Sequence, residues 1–267
     1  MSKSLTVFLA ACVLMLSVLP TADAAITLTA TVKTALERTI SEADRSQADK
    51  LTSLYNEFVQ LQSRDAELTS QLKAVNAKNK EAQASLTKQI KQIDAARLDR
   101  LEQEVRSSKD RYAPLFAQYT LLNKQLEASR SLGTKELSRI LSLQINAMKI
   151  PVQLARMNIR AKEAEWKNAK EQASKAAKKV RTVLEGVEPL QAQIKAKQGA
   201  VKTIEASMTP VWSSFKQAVQ RKEAKSAHST LASVVSLSSQ VNKEKQNLVG
   251  LENKISAILA SAQAQLP

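Results

Sequence analysis

With one cysteine, one histidine, four glycines, six prolines and nine aromatic residues in 267, the chain is defined first by the chemistry it lacks. Cys12 has no second cysteine to pair with, so neither an intrachain disulfide nor a cysteine metal cluster can form. His228 stands in the polar stretch KSAHST without a second histidine or cysteine to share a metal, and reads as a solvated helix-end residue. No glycine-rich phosphate loop, HExxH or GxSxG occurs. The carboxylates read as helix-surface charges with a Lys or Arg in reach, as for Glu163 and Lys167 at i,i+4. The expectation is therefore a protein that is not an enzyme and uses no cofactor and no metal.

The same scarcity limits the fold. Few glycines and prolines mean few turns, and few aromatics leave little to fill a wide core. Strand signals reduce to residues 25–32 (AITLTATV), which read as a short extended lead-in. An abundance of Ala, Leu, Lys, Gln, Ser and Glu completes a long-helix composition. The predicted class is all-α: an elongated coiled coil or long antiparallel helical bundle behind a cleaved N-terminal signal peptide.

The organising feature is a seam of apolar residues at alternating gaps of three and four, the spacing that places side chains on one stripe of a helix. It runs Leu51, Leu54, Phe58, Leu61, Asp65, Leu68, Leu72, Val75, Asn79, Ala82 and Leu86. After two slips of phase it resumes as Leu98, Leu101, Val105, Ser108, Tyr112, Leu115, Tyr119, Leu122 and Leu126. Exposed to water, each large member would forfeit roughly 1.5–3 kcal/mol, so the stripe needs a partner. Leu51, Leu54, Phe58, Leu61, Leu68, Leu72, Leu101, Tyr112, Leu115, Tyr119 and Leu122 are assigned here to self-association or to pairing with another helical protein. Val32, Leu36, Ile40, Ala43 and Gln47 lead into the stripe, which predicts a first helical arm over 25–131 with a kink at Pro114. Asp65 and Asn79, polar within the stripe, are expected to fix register.

At Ser131-Leu132-Gly133-Thr134 the chain is expected to reverse, with Gly133 in the left-handed position after a helix end and Thr134 capping the next helix. A second seam then runs Leu141, Ile145, Met148, Val152, Ala155, Ile159, Lys162, Trp166, Ala169, Ala173, Ala176, Val180, Val183, Val187, Leu190, Ile194, Lys197, Val201, Ile204, Met208, Val211, Phe215 and Ala218. Its phase holds across Pro151, Pro189 and Pro210, which predicts kinked helices sharing one face rather than a reversal at each proline. The second arm, 132–267, is expected to return as two or three helices with breaks near 186–189, 208–210 and 220–229. The last helix carries Val234, Val241, Leu248, Ile255 and Ala262 at spacings of seven. Tyr112, Tyr119, Trp166, Trp212 and Phe215 read as core packing on or beside the seams, and Trp212 with Phe215, beside Pro210, are the one pair with an exposed anchor as the alternative. Residues 137–159, the most apolar part of the body, contain Arg139, Lys149, Pro151 and Arg156 and read as a buried bundle segment rather than a membrane span.

Residues 1–24 have the form of a secretory signal: Lys3, an apolar run from Leu5 to Leu19, and Ala22-Asp23-Ala24 before the cut. Cleavage after Ala24 would remove Cys12 and send the protein out of the cell or into a bacterial envelope. The alternative, a lipoprotein box ending at Cys12, would leave the apolar Val13–Leu19 on the product.

Charge is unevenly held. Residues 25–131 carry 17 Lys and Arg against 14 Asp and Glu, whereas 132–267 carry 22 against 10, a net of +12. Such a surface attracts polyanions in a salt-dependent way. Arg156, Arg160, Lys167, Lys170, Lys175, Lys178, Lys179 and Arg181 form the candidate polyanion-binding set, spread round the helix outside the second seam as on a solvated surface. Export and the lack of interleaved stacking aromatics disfavour nucleic acid and point to an anionic envelope polymer or an anionic membrane surface. The function expected is that of an exported structural, scaffolding or adhesion-type protein of an envelope or extracellular matrix. A membrane-active, pore-forming component and a periplasmic holdase or activator are the alternatives.

Overall fold

The computed structural model describes residue 26 and residues 28–267. The expected signal peptide, its cut after Ala24 and Cys12 lie outside the described residues. Helices account for 92 % of what is described, with no strand among the described residues. There are six: α1 (Ala30–Glu42), α2 (Arg45–Gln92), α3 (Ala95–Ser131), α4 (Lys135–Leu184), α5 (Val187–Gln220) and α6 (Ala224–Gln263). Two compact units divide them. The first joins the chain up to Leu86 with Thr182–Ala264, and the second comprises Thr87–Arg181 with Gln265–Pro267.

In the first unit, two helical hairpins bundle together. Thr29 caps α1 by accepting from the Val32 amide, and Asp44 Oδ1 accepts from the Gln47 amide at 2.9 Å to start α2. The stripe read as a continuous lead-in therefore turns back at Ala43-Asp44, and its apolar residues fold onto α2 and α5 rather than extending it. Thr39, buried, donates to Val219 O at 3.1 Å, and Lys222 pairs with Glu42, so α1 lies beside the end of α5. Between α5 and α6 the chain reverses through Lys222 at φ 60°. The Glu223 amide reaches Ala218 O and the Lys222 amide Val219 O, the Schellman arrangement without its usual glycine.

The core of this unit is the two seams facing each other. Leu51, Phe58, Leu68 and Leu86 of α2 are buried with Ile194, Val201, Met208 and Phe215 of α5 and with Val234, Val241, Leu248, Ile255 and Ala262 of α6. Phe58 lies 5.5 Å from Trp212, which lies 5.1 Å from Phe215, centroid to centroid. Trp212 and Phe215 are thus 7 % and 0 % exposed, an internal cluster and not an exposed anchor. Gly186, between α4 and α5, faces Ile258: a Cβ added there would sit 3.3 Å from its Cδ1.

In the second unit, α3 and α4 form an antiparallel hairpin. Leu126, Leu141 and Ile145 are its buried cluster, with Tyr119 and Leu122 packed against it. The turn is closed by Gly133 at φ 71°, with the Thr134 amide on Ser129 O and the Gly133 amide on Arg130 O. Thr134 stands immediately before α4, where its carbonyl accepts from the Ser138 amide, and its hydroxyl donates back to Ser129 O at 2.9 Å.

Two further expectations about breaks need correction. The first arm is not continuous: α2 ends at Gln92 and α3 starts at Ala95, with Asp94 left-handed at φ 54°. That interruption falls where the seam slips phase. Conversely, no break occurs at 208–210, since α5 runs through Pro210 as α3 runs through Pro114 and α4 through Pro151. Each proline withholds an amide from the carbonyl four residues earlier, on Asp110, Ala147 or Ala206, and all six positions face solvent, where water can satisfy that carbonyl. Thr209 likewise back-bonds to Glu205 O within the helix instead of capping a new one.

Candidate anion-binding face and the buried polar ladder

All eight basic residues singled out from the sequence lie on α4 within the second unit, and all are exposed. Arg156, Arg160, Lys178, Lys179 and Arg181 form no salt bridge among the described residues. Lys175 pairs with Glu171 at 2.8 Å, and that contact holds the Glu171 carboxyl below the usual carboxylate range. Lys170 sits 5.0 Å over the Trp166 ring, an exposed cation–π contact. From residue 172 to 184 the helix bears no acid, so Lys175, Lys178, Lys179 and Arg181 present a local excess of positive charge. Arg156 and Arg160 line an open groove with Phe116, Ile159 and Glu163.

Two other acids of the hairpin pair across it. Glu104 accepts from Lys162 at 2.6 Å, which lowers the carboxyl and raises the ammonium from their ordinary values, the hydrogen bond being the largest cause for each. Glu163 does not pair with Lys167 as its spacing suggested; it meets Lys109 of α3 at 2.6 Å. These cross-hairpin pairs are solvent-exposed and fix register more than they stabilise. They also remove Glu104 and Glu163 as neutralising neighbours, which leaves the outward cations of α4 to face solvent.

The residues assigned to self-association are covered to different depths by the chain itself. Leu51, Phe58, Leu68 and Leu101 are buried, while Leu54, Leu61, Leu72, Tyr112, Leu115, Tyr119 and Leu122 are half-buried. Phe58 packs on Trp212 of α5, and Tyr119 and Leu122 pack on Leu126, Leu141 and Ile145. The polar members of the stripe find partners on α6 that spacing alone did not reveal. Asn242 donates to Leu61 O at 2.9 Å, and Lys245 meets Asp65 at 2.6 Å, Thr69 at 3.2 Å and Glu205 at 3.8 Å. Further along, the buried Glu252 carboxyl accepts from Asn76 at 2.8 Å and from Asn79 at 2.7 Å, and Ser256 donates to Asn79 Oδ1 at 2.6 Å. Every rung between α2 and α6 joins residues separated by about the same number of positions, so these two helices run parallel and any slip would break those rungs at once.

Glu244 accepts from Lys197 at 2.7 Å, mainly by which its carboxyl is held below its usual value. His228 is half-buried on α6, and no group of three or more His, Cys, Asp or Glu side chains among the described residues is placed to hold a metal ion. No helix of the described residues is long and apolar enough to cross a membrane. No protein-family model matches the chain, no curated protein matches it, and no solved structure matches it.

Proposed function

We propose that the protein is a non-enzymatic structural or scaffolding component of a bacterial envelope or extracellular matrix, exported by its N-terminal segment, which holds anionic polymer on the basic surface of α4. The observation that carries this reading is the set of exposed, unpaired cations on α4, in particular Lys178, Lys179 and Arg181, on a stretch without acids. Cations kept free of internal partners retain their full attraction for an external polyanion, and that attraction acts by counterion release. A rigid hairpin suits such a role, because the charges are held at fixed spacing and little conformational freedom is lost on binding.

Retention on an immobilised polyphosphate or other anionic-polymer matrix tests this. The expected result is firm retention at low salt that falls steeply as salt rises. Retention that is absent at low salt, or unchanged between low and high salt, contradicts it.

A further inference from the structure

Around residues 137–162, α4 carries two apolar faces. One is buried on the α3 side through Leu141, Ile145, Val152 and Ala155. On the opposite side Ile140, Leu143, Ile150, Leu154 and Met157 are 52, 64, 68, 60 and 58 % exposed. With Ala147 between them their gaps are three, four, three, four and three, the stripe of a helix that buries a second side. The sequence reading of this stretch as a buried bundle segment holds for one face only. The uncovered stripe is a contiguous row of large apolar side chains, each more than half exposed, the kind of patch that marks an interaction site.

Charge says what covers it. Between Glu136 and Glu163 there is no acidic residue, while Arg139, Lys149, Arg156 and Arg160 are exposed and form no salt bridge among the described residues. At about 100° per residue Lys149, Arg156 and Arg160 fall together on one flank, between the exposed stripe and the buried one, and Arg139 falls on the edge of the stripe next to that flank. The other flank holds Gln144, Pro151 and Asn158, all uncharged, and Lys162, whose charge is taken up by Glu104 of α3. A helical partner reads both flanks of a seam, and a second copy would bring a like-charged flank of its own. An anionic bilayer needs only apolar side chains facing down with cations beside them at headgroup level.

We propose that the 140–157 face of α4 docks on an anionic lipid surface. The stripe enters the boundary between headgroups and acyl chains, and Arg139, Lys149, Arg156 and Arg160 meet the lipid phosphates. The proposal rests on the anionic-partner reading above and adds an apolar requirement that a soluble polymer does not have.

The test is co-flotation of the full chain with vesicles of equimolar phosphatidylglycerol and phosphatidylcholine, and with phosphatidylcholine alone, beside retention on soluble polyphosphate. The chain is expected to float with the anionic vesicles only. The double variant Ile150→Ser/Leu154→Ser, altered at exposed positions and checked for helicity, is expected to lose about tenfold or more in vesicle partition while keeping its polyphosphate retention. Vesicle binding that is unchanged in the double variant overturns the docking face, as does polyphosphate retention without any vesicle binding. A dimer that the double variant disperses overturns it in favour of a second copy. Loss of both vesicle and polyphosphate binding by the native chain removes the anionic-partner reading as well.

Discussion

Replacing Asn79 probes the polar ladder of the first unit at its most buried rung. The side chain is 5 % exposed and donates to both the carboxyl and the backbone oxygen of Glu252, itself 3 % exposed, while accepting from Ser256. Asn79→Leu deletes these bonds at once and leaves Glu252 Oε2 without its Asn79 donor in a site closed to water. Each buried polar group left unmatched costs about 1–3 kcal/mol, and a charged one more, so the variant is expected to lose about 2–4 kcal/mol in urea unfolding followed by far-ultraviolet circular dichroism. Glu252→Leu alone is expected to be destabilising for the mirror reason, since it takes away the acceptor of the Asn76 amide and one of the two acceptors of the Asn79 amide. The double variant Asn79→Leu/Glu252→Leu removes donor and acceptor together and is expected to cost less than the sum of the singles, by about 0.5–3 kcal/mol. If the two singles add to within about 0.5 kcal/mol, the two residues do not act as a pair and the reasoning fails.

Phe215→Ala, which empties the space between Trp212 and the surrounding core, is expected to cost about 3–5 kcal/mol in the same assay; a loss under about 1 kcal/mol would show that the ring cluster is not packed. Gly133→Ala meets no neighbouring atom, so any cost comes from φ 71° alone and is expected near 1–2 kcal/mol, with no loss contradicting the left-handed turn. On acidification, Glu104 and Glu244 have folded-state values below their unfolded ones, so their stabilisation is present above the ordinary carboxylate value and is lost as pH falls through the folded value. Thermal melts are therefore expected to weaken below about pH 4.5, with Lys197→Met reducing that dependence; an unaltered acid profile in Lys197→Met would refute the Glu244 assignment.

Much of this architecture was legible because apolar spacing reports burial directly. The second seam named Leu141, Ile145, Val152, Val180, Ile194, Val201, Met208 and Phe215, all of which are buried. Gly133 marked the hairpin turn because only its backbone takes that conformation cheaply. The turns at Ala43-Asp44 and Asp94 were missed, as no glycine or proline stands there and the cap is a single aspartate or a strained residue. In the second case the slip of phase was the available signal. The break expected at Pro210 does not form, since a proline on a hydrated face interrupts one hydrogen bond without ending the helix. Asp65 and Asn79 were recognisable as register-setting, but their partners Lys245 and Glu252 lie about 175 residues away and pairing at that distance leaves no local pattern. The exposed stripe on α4 was hidden for a related reason. Two apolar faces on one helix merge into a single apolar stretch when read linearly.

The claim most in need of measurement is that the cations of α4, and not the general basicity of the chain, hold the anionic partner. Binding to soluble polyphosphate at a series of salt concentrations gives the slope of log affinity against log salt, which counts the cations engaged. The triple variant Lys178→Ala/Lys179→Ala/Arg181→Ala is expected to reduce that slope by about two to three. The matched triple Lys195→Ala/Lys202→Ala/Lys254→Ala, which removes the same charge from exposed positions of α5 and α6, is expected to leave it nearly unchanged. Equal reductions in the two triples would contradict the account.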